Sequence, residues 1–225
     1  TGLGGDRAGS GALFEEALTL ADETGDRALE ARIAANRIYA QWRSGDLVGM
    51  EGAVSAELAR LRATGLAEAA GGQLLVARAV VLHGLGRWAE LTDHLERTLE
   101  RPGRLGAQVE LLLRLVAVEL AADVGRVGDA RAGLEALQAR PGVDDPEIAY
   151  EVLAVRLGIA TLALDVPRAA AEQLAADALA TAGRITGDAF AAARVRVAAL
   201  RLRGWASGRP AGPVPVEHGA PAPGP

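Results

Sequence analysis

A helix-breaking turn returns about every forty residues along nearly the whole chain, and no other feature constrains the fold as strongly. The marks are Gly5-Asp6, Gly45-Asp46, Gly86-Arg87, Gly125-Arg126, Leu164-Asp165 and Gly204-Trp205, separated by 40, 41, 39, 39 and 40 residues. A second set of breaks falls between them, at Gly25, Gly65, Gly103, Gly142 and Gly187. Two breaks per period, with apolar helical stretches on both sides, describe a stack of helical hairpins: a solenoid. Such an array acts by presenting a surface.

With the helix before each turn named A and the helix after it B, the chain opens on a turn and runs into a B helix over residues 11–24. Four full units follow, near 26–64, 66–101, 104–140 and 145–183, and a last A helix spans about 187–203. Alignment on the turn tests this division. Seven residues before it stand Ile38, Ala79, Val118, Leu157 and Val197, all apolar; five before it stand Ala40, Val81, Leu120, Ile159 and Ala199. Nine after it stand Phe14, Val54, Leu95 and Leu134, with Leu174 one place late. Stacked hairpins need such columns, because each apolar face is buried only against its neighbours.

Within the B helices the apolar spacing is helical, as in Val54, Leu58 and Leu61, and strict apolar–polar alternation is absent. Asp144-Asp145-Pro146-Glu147 offers an N-cap, a first-turn proline and a first-turn acid. Gly65, Gly103 and Gly142 suit the left-handed residue that stops a helix. The fold expected is therefore all-α, an α-solenoid of about five hairpins: some ten helices in a right-handed array of antiparallel pairs. It occupies residues 1–206. The stretch 207–225 holds six of the ten prolines and no helical pattern, as a disordered linker or tail would.

Half the residues are hydrophobic and only 3% are aromatic, so the core must be built from Ala, Leu and Val through close helix packing. All 24 basic residues are arginine, which a GC-rich genome explains; the absence of lysine still removes Schiff-base chemistry and the lysine of a phosphate-binding loop. No cysteine is present, so disulfides and thiolate sites are excluded and cytoplasmic residence is permitted. The net charge of −5 argues against a dedicated nucleic-acid binder. No targeting segment is visible. The most apolar helices are interrupted by Arg114, Glu119 or Arg156, short of the roughly 18 clean residues a membrane span requires. The chain starts at Thr1 and its only methionine is Met50, so a piece of something longer is expected.

The segments LFEEALTLADETGDRALEA (Leu13 to Ala31) and LGRWAELTDHLERTL (Leu85 to Leu99) resemble tetratricopeptide-type repeats. More narrowly, they resemble the long, roughly forty-residue version found in the MalT-like group of large ATP-binding LuxR-type bacterial regulators. The likeness covers about residues 5–205. In that group a P-loop ATPase precedes the repeats and a DNA-binding helix-turn-helix follows them, often after a Pro-rich linker; neither flanking domain lies in this sequence. The family's large aromatics are largely missing from the A helices.

Few residues invite a chemical reading. Gly5 to Ala12 bears a superficial likeness to a phosphate loop, but Ala12 and Leu13 stand where Lys and Ser/Thr would follow Gly11. A turn with Ser10 near a helix start explains it better. His94 and Glu90 are four apart, yet two ligands do not close a zinc shell. His83 fits an interior or groove position and His218 lies in the tail, so no metal or other cofactor is expected. Glu15-Glu16 and Asp144-Asp145 read as solvated charges rather than a catalytic pair.

The pattern of most interest is an arginine column. Eight residues before the turn stand Arg37, Arg78, Arg156 and Arg196; the third unit has Ala117 there, with Arg114 one helical turn earlier. In tetratricopeptide stacks the A helices line the concave groove, so these arginines could form a ladder for an acidic peptide or a phosphate-bearing ligand. The competing reading, which the apolar neighbouring columns favour, is that each threads its alkyl stem between helices and pairs with an acid across the stack. In the last helix Arg194 and Arg201 fall on one side and Arg196 and Arg203 nearly opposite, so no single basic stripe for DNA forms.

The function expected is a non-catalytic regulatory module for protein interaction: the sensor and oligomerisation segment of a MalT-like transcription regulator. Its partner would be a peptide, a partner domain or a small inducer, without direct nucleic-acid or membrane contact. Self-association is expected too, because both ends break the repeat mid-unit without a capping helix. The alternative is a free-standing tetratricopeptide adaptor; an enzyme ranks last.

Overall fold

The computed structural model describes residues 7–43, 46–65, 71–100, 105–163, 166–185 and 189–208, and every regular element among them is an α-helix. There are ten: α1 (Arg7–Thr24), α2 (Arg27–Arg43), α3 (Leu47–Ala63), α4 (Gly72–Gly84), α5 (Trp88–Leu99), α6 (Ala107–Asp123), α7 (Val127–Gln138), α8 (Pro146–Leu162), α9 (Arg168–Arg184) and α10 (Ala189–Ala206). They fall where the repeat places A and B helices, with α1 as the opening B helix and α10 as the last A helix. Glycines 5, 45, 103 and 187, the break at Leu164-Asp165 and the tail from residue 209 lie outside the described residues. No described helix is long and apolar enough to cross a membrane.

The chain divides into two compact units, residues 1–120 and 121–225. In the first, α2 packs against α1, α3 and α4, while α4 also packs against α3 and α5. One core cluster joins α2, α3 and α4 through Ile38, Met50, Leu58, Leu61 and Leu74. Another joins α4, α5 and the first part of α6 through Leu82, Leu91, Leu113 and Val116. In the second unit α8 packs against α7, α9 and α10, and α9 against α10. Its core is mostly alanine: Ala171, Ala175, Ala178 and Ala182 of α9 are all buried against Leu157, Val195 and Leu202. Residues without bulk let helices approach closely, as a composition poor in aromatics requires.

The turns follow from glycine chemistry. Gly86 and Gly125 adopt φ of +68° and +83°, the left-handed region that a Cβ disfavours. The two turns are bonded alike. Arg87 N–H donates to the Leu82 carbonyl at 2.9 Å and Gly86 N–H to that of His83 at 3.0 Å; Arg126 donates to Ala121 at 2.8 Å and Gly125 to Ala122 at 3.0 Å. Each pair satisfies carbonyls that the helix end leaves open. Two helix starts are capped by acids: Asp26 accepts the Leu29 N–H at 2.9 Å and Asp46 that of Gly49 at 2.9 Å.

Two expectations are corrected. The turn at Gly204-Trp205 does not form, for α10 runs on to Ala206 and the break moves to Gly208, with φ of +67°. Ala206 is buried in the α8–α9–α10 cluster and Trp205 packs against it, which outweighs the roughly 1 kcal/mol that a helical glycine costs. At the other end α1 begins at Arg7 rather than residue 11. Residues 7–12, part of the stretch compared with a phosphate loop, are helix.

Candidate functional site

The five arginines of the column divide between the units. Arg37, on α2, is partly exposed and its Nη1 donates to Glu15 of α1 at 2.8 Å. Arg78, on α4, is half-buried and near enough to α5 to act electrostatically on Glu90 and His94. Arg114, on α6, bonds Glu110 one turn earlier on its own helix, Nε to Oε1 at 2.9 Å. Arg156 of α8 and Arg196 of α10 are exposed. These two helices pack directly against each other, so the second unit carries a pair of exposed arginines at one repeat position on neighbouring A helices. No ion pair occupies Arg78, Arg156 or Arg196 among the described residues.

The role of strut between helices falls largely to other arginines. Arg60 of α3 reaches back to Glu30 of α2 at 2.8 Å and also holds Glu57 of its own helix at 2.6 Å. Arg27 bonds Glu30 as well. The Glu30 side chain is buried, and its pairing with two guanidiniums offsets the cost of burying a carboxylate. Arg87, in the α4–α5 turn, bonds Glu90 at 2.5 Å and Glu51 of α3 at 3.2 Å; its hydrogen bond holds Glu90 below the usual carboxylate range. Arg194 of α10 bonds Glu151 of α8. The one-letter pattern gives little sign of these pairs, since Arg60 and Glu30 lie thirty residues apart on helices of different type.

His94 is the buried imidazole of the first unit. Its Nε2 lies 2.9 Å from the Leu75 carbonyl oxygen, so Nε2 is the donor and the neutral ring leaves Nδ1 bare. Burial pushes its pKa below the ordinary histidine value, and Arg78, Arg97 and Arg62 push it further in the same direction, against the opposing effect of the Leu75 bond. Glu90, the other half of the expected histidine–carboxylate pair, is engaged with Arg87. No group of three His, Asp or Glu with metal-binding geometry occurs among the described residues. An open depression between α9 and α10 is lined by Glu172, Ala176, Leu179, Arg203 and Ser207; the Ser207 hydroxyl donates to the Gly204 carbonyl at 3.2 Å rather than to Glu172.

The arrangement can hold an anionic group by charge, and it offers ion-paired helix contacts elsewhere. Comparison with protein-family models, with curated proteins and with solved structures returns no match.

Proposed function

We propose that this chain is a non-catalytic interaction and regulatory module, a tetratricopeptide-like stack of helical hairpins resembling the repeat region of MalT-like LuxR-type regulators. One observation carries the reading. The residue seven before each turn is buried in four successive A helices: Ile38 is 1% exposed, Ala79 0%, Val118 6% and Leu157 0%. The position immediately before that column bears Arg37, Arg78, Arg156 and Arg196, of which the last two stand in solvent. A periodic core beneath a periodic charge is how a scaffold presents a binding surface rather than a reaction site. The partner chemistry is acidic, as in a carboxylate-rich peptide or partner segment, because arginine pairs with such groups by bidentate, charge-assisted hydrogen bonds.

Titration of a labelled oligoglutamate peptide into the chain tests this. Binding should weaken steeply with salt and weaken in the double variant Arg78→Glu, Arg156→Glu, which reverses one column arginine in each unit; its melting should change little, since Arg156 is exposed and the half-buried Arg78 has no ion pair among the described residues. An early melt would make these arginines struts and sink the ligand role. Binding unweakened in the double variant would move the partner to another face. The narrower reading has its own test in the gene: a P-loop ATPase encoded upstream and a helix-turn-helix downstream identify the regulator.

A further inference from the structure

The outward faces of α1 and α10 carry the same pattern with opposite charge. On α10 the buried side is formed by Val195, Ala199, Leu202 and Ala206. The opposite side presents Ala193, Val197, Leu200 and Gly204 at the i, i+4, i+7, i+11 spacing of a helix seam, exposed or half-exposed. Arg196 and Arg203 run along one edge of that seam. They stand seven residues apart, exposed, and without an ion pair among the described residues. At the corresponding repeat positions the other A helices bury their side chains, as with Leu157 and Ala160 of α8.

α1 packs against α2, and its more buried side carries Phe14, Leu18 and Ala21, of which Ala21 is fully buried. The adjoining seam is Leu13, Ala17, Leu20 and Thr24 at the same spacing, and Leu13 and Leu20 are 67% and 55% exposed. Glu16 and Glu23, again seven apart and exposed, run along the same edge that the arginines occupy on α10. They too lack an ion pair among the described residues. Each face is defined within its own unit.

We infer that the chain self-associates head to tail, with α10 of one copy lying antiparallel on α1 of a second. In an antiparallel helix pair like edges meet, so Glu23 falls opposite Arg196 and Glu16 opposite Arg203 while the two apolar seams close. The like pairings are disfavoured. Antiparallel α1 on α1 sets glutamates against glutamates, and α10 on α10 sets arginines against arginines. Charge therefore selects the heterologous contact, which propagates into rings or open chains rather than stopping at a two-fold dimer. About three turns of one helix on another make an interface at or below the small end of the specific range, so the association is weak and salt-sensitive. This inference deepens the repeat reading, but it uses neither Arg78 nor Arg156.

Sedimentation of residues 1–225 across concentration tests it. The wild type should form species larger than a dimer as concentration rises, and added salt should dissolve them. The variant Glu16→Arg, Glu23→Arg and the variant Arg196→Glu, Arg203→Glu should each associate at least about tenfold more weakly while keeping the wild-type circular dichroism and melt. Mixed together the two variants should associate again, since the α10 arginines of the first face the α1 glutamates of the second. A wild type that stays monomeric through the high-micromolar range, a discrete dimer untouched by either swap, or a mixture that fails to recover would overturn it. Loss of peptide binding by the Arg78 and Arg156 variant leaves this result unmoved, so the two proposals fail separately.

Discussion

Replacing Leu157 by alanine should destabilise residues 121–225 by about 3 kcal/mol, within the range of buried Leu→Ala changes. Leu157 is fully buried, and its surroundings include Ala154, Ala160, Ala171, Ala175 and Ala178. The reason to expect a large loss is the shortness of those neighbours. A void left among leucines or methionines can be refilled partly by rotamer changes, but alanine has no rotamer to change. The cavity closes only if whole helices shift, so most of it should persist. Chemical denaturation followed by circular dichroism measures this, and a loss under 1 kcal/mol would mean that α8, α9 and α10 slide together easily. A companion pair checks the same tightness from the other side. Ala175→Leu, at a fully buried site, should cost roughly 1–3 kcal/mol through overpacking, whereas Ala176→Leu, one residue on and exposed, should be close to neutral.

That close packing was legible in the sequence as composition before it was visible as contacts. Glycine at a fixed period marked Gly86 and Gly125 as turns, and both are left-handed with matching hydrogen bonds. The same rule failed at Gly204, because a period predicts where a break is due and not what the residues beyond it can bury. Trp205 and Ala206 have a core to join. Where a glycine is followed by Arg87 or Arg126, each the N-cap of a new helix, the turn forms.

The site was legible only in part, and for a related reason. Repeat alignment locates columns, but ion pairing depends on reach across a helix pair, which differs from unit to unit. Arg37 finds Glu15, whereas at the other end Arg194, two residues before the column position, takes Glu151 and leaves Arg196 in solvent. Leu13 of α1 and His94 of α5 each follow their turn by eight residues. One is exposed and the other buried, a contrast created by neighbours and invisible in the one-letter pattern.

Acidification should selectively weaken residues 1–120, and His94 is the group expected to cause it. The folded chain holds the ring neutral, with its pKa below the ordinary 6.5. Unfolded, the same ring takes up a proton near that ordinary value. Between the two, the unfolded chain binds more protons, so stability rises with pH there. The contribution of the neutral ring is therefore whole above pH 6.5 and drains away as pH falls from 6.5 toward the folded-state value. Protonation would place a buried cation near Arg62 of α3, Arg78 of α4 and Arg97 of its own helix, while the nearest carboxylate on its own face, Glu90, is already committed to Arg87. Melting temperature measured across pH 5 to 8 checks the direction. His94→Gln keeps an N–H to offer the Leu75 carbonyl and carries no charge, so it should flatten the pH dependence at small cost. His94→Lys fixes the charge at every pH and should cost about 3–5 kcal/mol, as an uncompensated buried ion does. A wild-type curve as flat as that of the glutamine variant would assign acid sensitivity to other groups, and a lysine variant as stable as wild type would show that the site admits water freely.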